Sequence, residues 1–219
     1  MHSKTRIIIV DDHSLFREGM KLLIEMEGMG HVIAEAENGQ AFLDILPGLA
    51  PDLVLMDIEM PVMGGLEATR EAIAMHPGLK ILVLTMLGEK DNYTTMINAG
   101  AMGFVLKTAG KNELQKAIKT MAGGESYFSN ELLRQIIANS GKQQLSPDIS
   151  GSIDIKFTDR EFEILKYFCQ GLTATEIAGK VFRSVKTIEA HRSMLLEKTH
   201  SKNTINLVLF AIKNKLVEI

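Results

Sequence analysis

Short apolar runs alternate with amphipathic segments along the first 120 residues of the chain. Each run is rich in β-branched residues or leucine and is apolar throughout rather than at every second position. Such runs are typical of strands in a parallel sheet that is buried on both faces. The runs are Ile7–Val10, Val32–Ala34, Leu53–Met56, Ile81–Leu84 and Gly103–Leu106.

Helical periodicity fills the segments between these runs. Five strands that alternate with five helices predict an α/β fold, a doubly wound five-stranded parallel sheet with right-handed crossovers. Ligands of such sheets bind at the carboxyl ends of the strands. The predicted helices cover residues 14–26, 39–47, 65–75, 89–99 and 110–122.

The second half of the chain has a different pattern. A helix over residues 130–139, with Ser129 as its N-cap, precedes a polar segment over 140–152 that is typical of a flexible linker. Helical patterns then cover residues 158–170, 173–180, 184–198 and 203–215. We therefore predict a first domain over 1–125, a linker helix and flexible linker over 126–153, and an all-α four-helix domain over 154–219.

Charge and composition narrow the classes of protein. The net charge is −3, but residues from 150 onward hold 11 basic and 8 acidic side chains against 13 and 19 before them. An acidic front and a basic back suit a regulatory module joined to a nucleic-acid-binding module. The single cysteine, Cys169, excludes an intramolecular disulfide and a cysteine-based zinc site. No stretch has the length of a signal peptide or membrane span, which predicts a cytoplasmic protein with no membrane partner.

Polar residues directly follow four of the predicted strands. Asp11 and Asp12 follow the first strand, Asp57 the third, Thr85 the fourth and Lys107 the fifth. Single Asp residues after strands are common turn or cap residues, but this whole set would converge on one edge. Three carboxylates repel each other unless a cation such as Mg²⁺ lies among them. A lysine and a hydroxyl opposite them would complete a cradle for a phosphoryl group.

This set of residues resembles that of response-regulator receiver domains, which have a flavodoxin-like fold. The resemblance covers residues 5–123 and includes Asp11-Asp12, the segment from Met56 to Pro61, Gly64-Gly65, Thr85 and Lys107. It implies that the chain is a phosphoryl acceptor with at most slow autodephosphorylation, and not an enzyme.

The same resemblance implies a role for each matching residue. Asp57 would accept a phosphoryl group from a sensor histidine kinase, and Lys107 would pair with that group. Asp12 and Asp57 would bind Mg²⁺ together with the main-chain carbonyl of Glu59, while Asp11 would act mostly through water.

The resemblance also implies a switch, in which the Thr85 hydroxyl moves to the phosphoryl oxygen and Phe104 follows inward. Thr108 departs from the family pattern, since many receivers have Pro after the lysine, although members with this C-terminal domain commonly lack it. The side chain of Glu59 adds a fourth carboxylate beside the site. It is either a solvated loop group or a group that modulates how water reaches the acyl phosphate.

Residues from Thr173 to Lys198 have the pattern of a helix-turn-helix. Ser184 is the expected N-cap of the second helix, on which Ile188 and Leu195 form part of the inner face. The opposite face carries small and hydrogen-bonding side chains, which suits reading of the DNA major groove. The predicted DNA-binding residues are Lys186, Thr187, Glu189, Ala190, Arg192, Ser193, Lys198 and Lys202.

The segments from Phe157 to Leu165 and from Ser184 to Arg192 resemble LuxR-type helix-turn-helix domains. Together with a receiver, they resemble the NarL/FixJ class of response regulators. The resemblance implies phosphorylation-dependent binding to double-stranded DNA, control of transcription, and a homodimer in the phosphorylated state. Two places depart from the family pattern. This chain has Thr199-His200 where the family usually has Leu-Gly, and it has Glu189 where some members have Lys.

Two other classes of function remain open. The triplet Asp57-Ile58-Glu59 faintly resembles the acidic motif of aspartate-nucleophile phosphatases, although no loop offers the substrate-cap insertion that such enzymes need. The helical domain is alternatively a protein-binding adaptor, because its recognition face has few basic residues. Steady hydrolysis of small phosphate esters would indicate the phosphatase, and absence of salt-sensitive DNA binding would indicate the adaptor.

Overall fold

A computed structural model of the chain describes residues 4–86, 92–129, 132, 155–214, 216 and 217. The chain divides into two units, Met1–Tyr127 and Phe128–Ile219. The predicted linker over 140–152 and nearly all of the predicted helix over 130–139 lie outside the described residues. The predicted domain bounds therefore stay a prediction.

Strands and helices alternate through the first unit as the sequence pattern predicts. The strands are β1 (Arg6–Val10), β2 (His31–Ala36), β3 (Leu53–Asp57), β4 (Ile81–Thr85), β5 (Gly103–Leu106) and β6 (Tyr127–Phe128). The helices are α1 (Ser14–Met26), α2 (Gly39–Ile45), α3 (Gly65–Met75), α4 (Asn92–Ala99) and α5 (Lys111–Ala122). The strand order is β2-β1-β3-β4-β5-β6, and β1 to β5 pair in parallel.

Two details differ from the prediction. The sheet has six strands, whereas the sequence pattern predicts five. The sixth strand, β6, has only two residues, which is too short to show a periodicity in the sequence. The N–H of Tyr127 in β6 donates to the Met102 carbonyl at 3.3 Å. The predicted helix over 39–47 ends at Ile45 and continues as a 3-10 turn over Leu46–Gly48, since Pro47 has no N–H for a further helical bond.

The sheet is buried on both faces. One face packs against α1 and α5 through a core that includes Ile9, Leu55, Leu82, Ile24 and Ile118. The alternate residues of the strands are equally inaccessible to solvent and point to the other face, as side chains in a strand must. Burial on both faces explains why these strands are apolar without alternation.

The second unit contains four described helices with well-defined ends. They are α6 (Asp159–Cys169), α7 (Ala174–Lys180), α8 (Val185–Lys198) and α9 (Thr204–Lys213). Thr158 and Glu161 form a capping box at the start of α6, and Ser184 accepts the N–H of Thr187 as the predicted N-cap of α8. Thr173 and Glu176 form a second capping box.

The first three helices of this unit end in the same way. A residue with positive φ follows each C-cap: Gly171 (77°), Phe182 (53°) and His200 (52°). The next N–H bonds the carbonyl five residues back, as Leu172 does to Tyr167 at 3.2 Å, which is a Schellman arrangement. The departure from Leu-Gly at residues 199 and 200 therefore does not change where α8 ends.

Cys169 lies in the core of this unit and is 1% exposed. Burial raises the pKa of its thiol to about 12. The thiolate is therefore strongly disfavoured, and Cys169 is a structural residue.

Gly65 allows a close backbone approach that holds Asp57 in place. A Cβ atom built on Gly65 would lie 1.9 Å from the Asp57 carbonyl oxygen. We expect Gly65→Ala to lower the free energy of unfolding by about 1–3 kcal/mol, the usual cost of overpacking. Chemical denaturation measures this effect. Gly19→Ala is the matched control: it has open space in α1, and we expect a gain of about 0.5–1 kcal/mol. A Gly65→Ala variant as stable as the wild type would contradict the steric account.

Candidate functional site

The sequence-predicted polar residues meet at the carboxyl edge of the sheet. Asp57 and Thr85 are the last residues of β3 and β4, while Asp11 and Lys107 directly follow β1 and β5. Parallel pairing of neighbouring strands places these ends side by side. Asp11, Asp57 and Thr85 are buried, although all are polar. Polar side chains are seldom fully buried in a cluster unless they bind a ligand or take part in chemistry. The burial of these three residues therefore indicates a functional site at this edge of the sheet.

Lys107 bridges two of the carboxylates. Its Nζ lies 2.6 Å from Asp57 Oδ2 and 2.8 Å from Asp11 Oδ2. The aliphatic part of the side chain is also enclosed, and the ammonium lies 5.2 Å from the centre of the Phe16 ring. Burial lowers the pKa of Lys107, but its hydrogen bonds and ion pairs with Asp11 and Asp57 raise it more, so the net shift is upward. Lys107 is therefore a permanent positive charge.

Asp57 is held by bonds to both of its carboxylate oxygens. Oδ1 accepts the N–H of Ile58 at 2.8 Å, and Oδ2 accepts a hydrogen bond from Lys107. Burial raises the pKa of Asp57, the negative charge of Asp11 raises it further, and Lys107 only partly opposes this shift. The ionised carboxylate is therefore less stable here than in water, which is a state that a further cation would relieve.

Asp11 and Asp12 complete the acidic cluster. Oδ1 of Asp11 accepts the N–H of His13 at 2.9 Å, and the His13 ring nitrogen Nδ1 lies 2.8 Å from Asp12 Oδ1. Asp11, Asp12, His13 and Asp57 each offer an atom within 4.8 Å of the others. Carboxylate oxygens are the ligands that Mg²⁺ prefers, and one ammonium does not balance three carboxylates. The cluster thus fits a small divalent cation.

The loop after Asp57 contains Glu59, whose side chain and main-chain carbonyl have separate expected roles. Glu59 is exposed, and its carboxylate does not belong to the acidic cluster. The predicted metal ligand is its main-chain carbonyl, and that assignment stays a prediction.

The predicted switch residues are both fully buried. The Thr85 hydroxyl donates to the Met86 carbonyl at 3.3 Å. The Phe104 ring packs edge-on against Tyr93, with 5.9 Å between ring centres. Phe104 therefore lies inward in this structure, and its movement as a switch residue stays a prediction.

The second unit presents the predicted DNA-binding residues on and beside α8. Lys186, Ala190 and Ser193 are exposed on one face, and Lys202 is exposed beyond the helix. Thr187 is half-buried, and its hydroxyl lies 2.8 Å from that of Ser184. These residues are accessible to a ligand, and their assignment as DNA contacts stays a prediction.

Ion pairs engage the other predicted contacts. Glu189 pairs with Arg192 at 2.5 Å. Nζ of Lys198 lies 2.7 Å from Oε2 of Glu161, whose side chain is only 5% exposed. Removing one partner from a buried pair costs about 3–5 kcal/mol, and less here because Lys198 is itself partly exposed. Substitution of Lys198 would therefore test folding before it tests a phosphate contact.

Sequence reasoning missed several residues that shape these sites. Arg17 donates from α1 to the Asp11 carbonyl, and Phe16 lies beneath Lys107. Glu161 caps the start of α6, and it also binds Lys198, 37 residues away. A helix periodicity identifies which side chains face inward, but it carries no signal for pairs so distant in sequence. Within the described residues, no helix is long and apolar enough to span a membrane.

Comparisons with known proteins identify a family for each half of the chain. Residues 7–119 match the response regulator receiver domain family, and residues 156–211 match the luxR family of bacterial regulatory proteins. The transcriptional regulatory protein DegU of Brevibacillus brevis is 32% identical to this chain, and the alignment covers 99% of this chain and 97% of DegU. The oxygen regulatory protein NreC of Staphylococcus epidermidis is 34% identical, and the alignment covers 97% of this chain and 99% of NreC.

A solved structure of the response regulator RcsB with DNA is also similar. Its TM-score is 0.58 at 26% identity, over 96% of this chain and 99% of that chain. The fold and the acidic edge define the class, a two-component response regulator. The chain belongs to the response regulators that join a receiver domain to a LuxR-type DNA-binding domain, the NarL/FixJ class.

The raised pKa of Asp57 predicts a pH-dependent cost to stability. The folded state favours the protonated form, so stability falls as pH rises from the unfolded-state pKa through the higher folded-state value. We expect Asp57→Asn to melt at a higher temperature than the wild type at neutral pH without metal. The difference should shrink as pH falls below that range.

The control for this melting experiment is Glu71→Gln, which removes one negative charge from the exposed surface of α3. It should show no such pH-dependent difference from the wild type. If Asp57→Asn is less stable than the wild type at neutral pH, the ion pair with Lys107 outweighs the burial of the carboxylate.

Proposed function

We propose that a sensor histidine kinase phosphorylates Asp57 and that this controls sequence-specific binding of the second domain to double-stranded DNA. The observation that carries the proposal is the Lys107 ammonium between the buried carboxylates of Asp57 and Asp11. Transcription of the bound genes would change in response, in the cytoplasm. The domains would span residues 1–125 and 154–219, joined by a linker.

The chemistry proposed for Asp57 is a phosphoryl transfer. A carboxylate oxygen of Asp57 attacks the phosphorus of a phosphohistidine on the kinase, the P–N bond breaks, and an acyl phosphate forms. Lys107 lies 2.6 Å from that carboxylate and would move with little displacement onto a phosphoryl oxygen. Its charge would balance the negative charge that the group brings, which is the main requirement of this reaction.

Asp12, Asp57 and the main-chain carbonyl of Glu59 would hold Mg²⁺, with Asp11 acting through water. When bound, the ion supplies charge compensation to the carboxylates and the phosphoryl oxygens. Loss of the phosphoryl group would be a slow hydrolysis of the acyl phosphate rather than turnover of an external substrate. The β3–α3 loop runs only from Ile58 to Gly64, too short for the substrate cap of a phosphatase.

Signal output would begin at Thr85. Its hydroxyl would leave the Met86 carbonyl for a phosphoryl oxygen, and the inward position of Phe104 would be stabilised by the movement. Phosphorylated chains would form a homodimer, as a two-fold DNA site requires. A related solved structure, of two RcsB dimers bound to two parallel DNAs, supports such an assembly.

Phosphorylation tests the acceptor. Acetyl phosphate with Mg²⁺ should add one phosphoryl group to the full chain, and Asp57→Asn should remove this labelling. Chelation of Mg²⁺ should suppress it as well, because the charge of the carboxylates is then uncompensated. Labelling is followed by intact-protein mass spectrometry, and Glu71→Gln is the matched control, which should be labelled like the wild type. Equal labelling of Asp57→Asn and the wild type would refute the assignment.

The switch has a separate test. Thr85→Ala should be phosphorylated normally, because Thr85 is not the acceptor, but phosphorylation should add little to its affinity for DNA. Affinity is measured by fluorescence anisotropy with duplexes selected by the phosphorylated wild type. Its logarithm should fall with the logarithm of salt concentration, by about 0.9 for each phosphate contacted. Equal activation of the variant and the wild type would contradict the switch, and the absence of any salt-sensitive binding would favour the adaptor.

A further inference from the structure

Arg17 contacts the loop that carries the predicted metal ligand Asp12. Its terminal nitrogen Nη1 donates to the Asp11 carbonyl at 2.5 Å, and its main-chain N–H donates to the His13 carbonyl at 3.0 Å. Asp12 stands between these two residues in the chain. One residue of α1 therefore bonds the main-chain carbonyls of both neighbours of Asp12.

Arg17 is itself held against the sheet. Its side chain is only 15% exposed, and its Nε lies 4.0 Å from Oε2 of Glu35 on β2. The other carboxylate oxygen of Glu35 lies 2.6 Å from Nζ of Lys21, one turn further along α1. Nε of Arg17 is buried and makes no hydrogen bond to any described residue. The guanidinium is thus enclosed, with Nη1 directed to the Asp11 carbonyl.

Helix stability does not explain an arginine at this position. The N-terminal end of a helix carries a partial positive charge, so a cation near it is unfavourable by about 0.3–1 kcal/mol. In the described structure of α1, the first turn holds no acidic residue, and the N-cap His13 makes no side-chain capping bond. Burial of a guanidinium adds a further cost unless its donors are used. The contacts that compensate Arg17, the Asp11 carbonyl and Glu35, lie outside α1.

Asp12 depends on its main chain for its position. The carboxylate of Asp11 is bonded on both oxygens, by the N–H of His13 and by Lys107. The side chain of Asp12 is 30% exposed, and it pairs with the His13 ring, which is 70% exposed. An exposed pair of this kind contributes little to holding a side chain in place. The direction of the Asp12 carboxylate is therefore set mainly by the main chain that Arg17 bonds.

We propose that Arg17 is a positioning residue for the metal, which fixes the main chain around Asp12 so that the carboxylate is directed to the ion shared with Asp57. The inference rests on the proposed function, of which Mg²⁺ is a part. Groups that orient metal ligands without touching the ion commonly change metal affinity about 10- to 100-fold when they are substituted. Charge alone predicts the opposite sign, because removal of a cation beside an acidic cluster would strengthen the binding of Mg²⁺.

Isothermal titration calorimetry with MgCl₂ measures the affinity of the full-length, unphosphorylated chain. Arg17→Gln, whose side chain is too short to reach the Asp11 carbonyl, should bind Mg²⁺ about tenfold more weakly than the wild type. Arg17→Lys keeps the charge and a donor but not the planar fork, and it should recover part of the loss. Lys21→Gln is the matched control. It removes a positive charge that faces the same Glu35 carboxylate, and it should bind Mg²⁺ at least as tightly as the wild type.

Phosphorylation by acetyl phosphate supplies a second readout. Arg17→Gln should need about tenfold more Mg²⁺ than the wild type to reach half of its maximal rate, in line with its weaker metal binding. Its rate at saturating Mg²⁺ should be close to that of the wild type. In a folded chain, a loss of stability alone would not change the Mg²⁺ concentration that is required, and circular dichroism checks the folding. If Arg17→Gln does not fold, Arg17→Lys decides: weaker Mg²⁺ binding at unchanged charge supports the inference, and equal binding overturns it.

The outcomes distinguish this inference from the proposed function. If the wild type neither binds Mg²⁺ nor is phosphorylated, the proposed function itself fails. If the wild type does both and Arg17→Gln binds Mg²⁺ equally or more tightly, Arg17 does not position the metal site. A lower rate of Arg17→Gln that saturating Mg²⁺ does not restore would also overturn the inference, since Arg17 would then act on a step other than metal binding.

Discussion

Three carboxylates and a single ammonium share the carboxyl edge of the sheet, and the rest of the receiver unit is built around that imbalance. Parallel strands buried on both faces deliver Asp57 to a place where water is excluded. Burial raises the pKa of Asp57, and Lys107 opposes this shift only in part. Lys107 also forms an ion pair with Asp11. The site therefore has more negative than positive charge in the folded state. Binding of a divalent cation, alone or together with a phosphoryl group, would strongly change the electrostatic energy of the site.

The backbone around the site is organised to keep this arrangement fixed. The N–H groups of Ile58 and His13 donate to the carboxylates of Asp57 and Asp11, which favours one orientation of each side chain. Gly65 lets the start of α3 pass directly over the Asp57 carbonyl. These contacts oppose relaxation of the repulsion by movement, and binding of a cation would relieve it.

The sequence predicts most of the receiver site and less of the recognition surface, for a physical reason. Asp57 and Lys107 are 50 residues apart, but Asp57 ends β3 and Lys107 directly follows β5, and the parallel topology brings them together. The helical unit has no such rule. Its caps at Thr158 and Ser184 have local signals, whereas the pairing of Glu161 with Lys198 depends on how the helices pack.

The chain departs from the LuxR-type pattern at Thr199-His200 and at Glu189, and local bonds compensate each departure. His200 takes the positive φ that favours glycine, at a cost of about 1–2 kcal/mol, and the end of α8 is still closed by a bond from Ser201 to the Leu196 carbonyl. The Thr199 hydroxyl adds a bond to the Leu195 carbonyl at 2.8 Å. Main-chain bonding therefore compensates the first departure within the helix itself.

Glu189 is compensated within the same helix. Its Oε2 lies 2.5 Å from the guanidinium of Arg192, and Oε1 of Glu189 and Nε of Arg192 are both buried. Arg192 is four residues after Ile188 and three before Leu195, so it lies at the border between the exposed face of α8 and the core. The ion pair therefore neutralises the acidic side chain within one turn, and the helix keeps its packing.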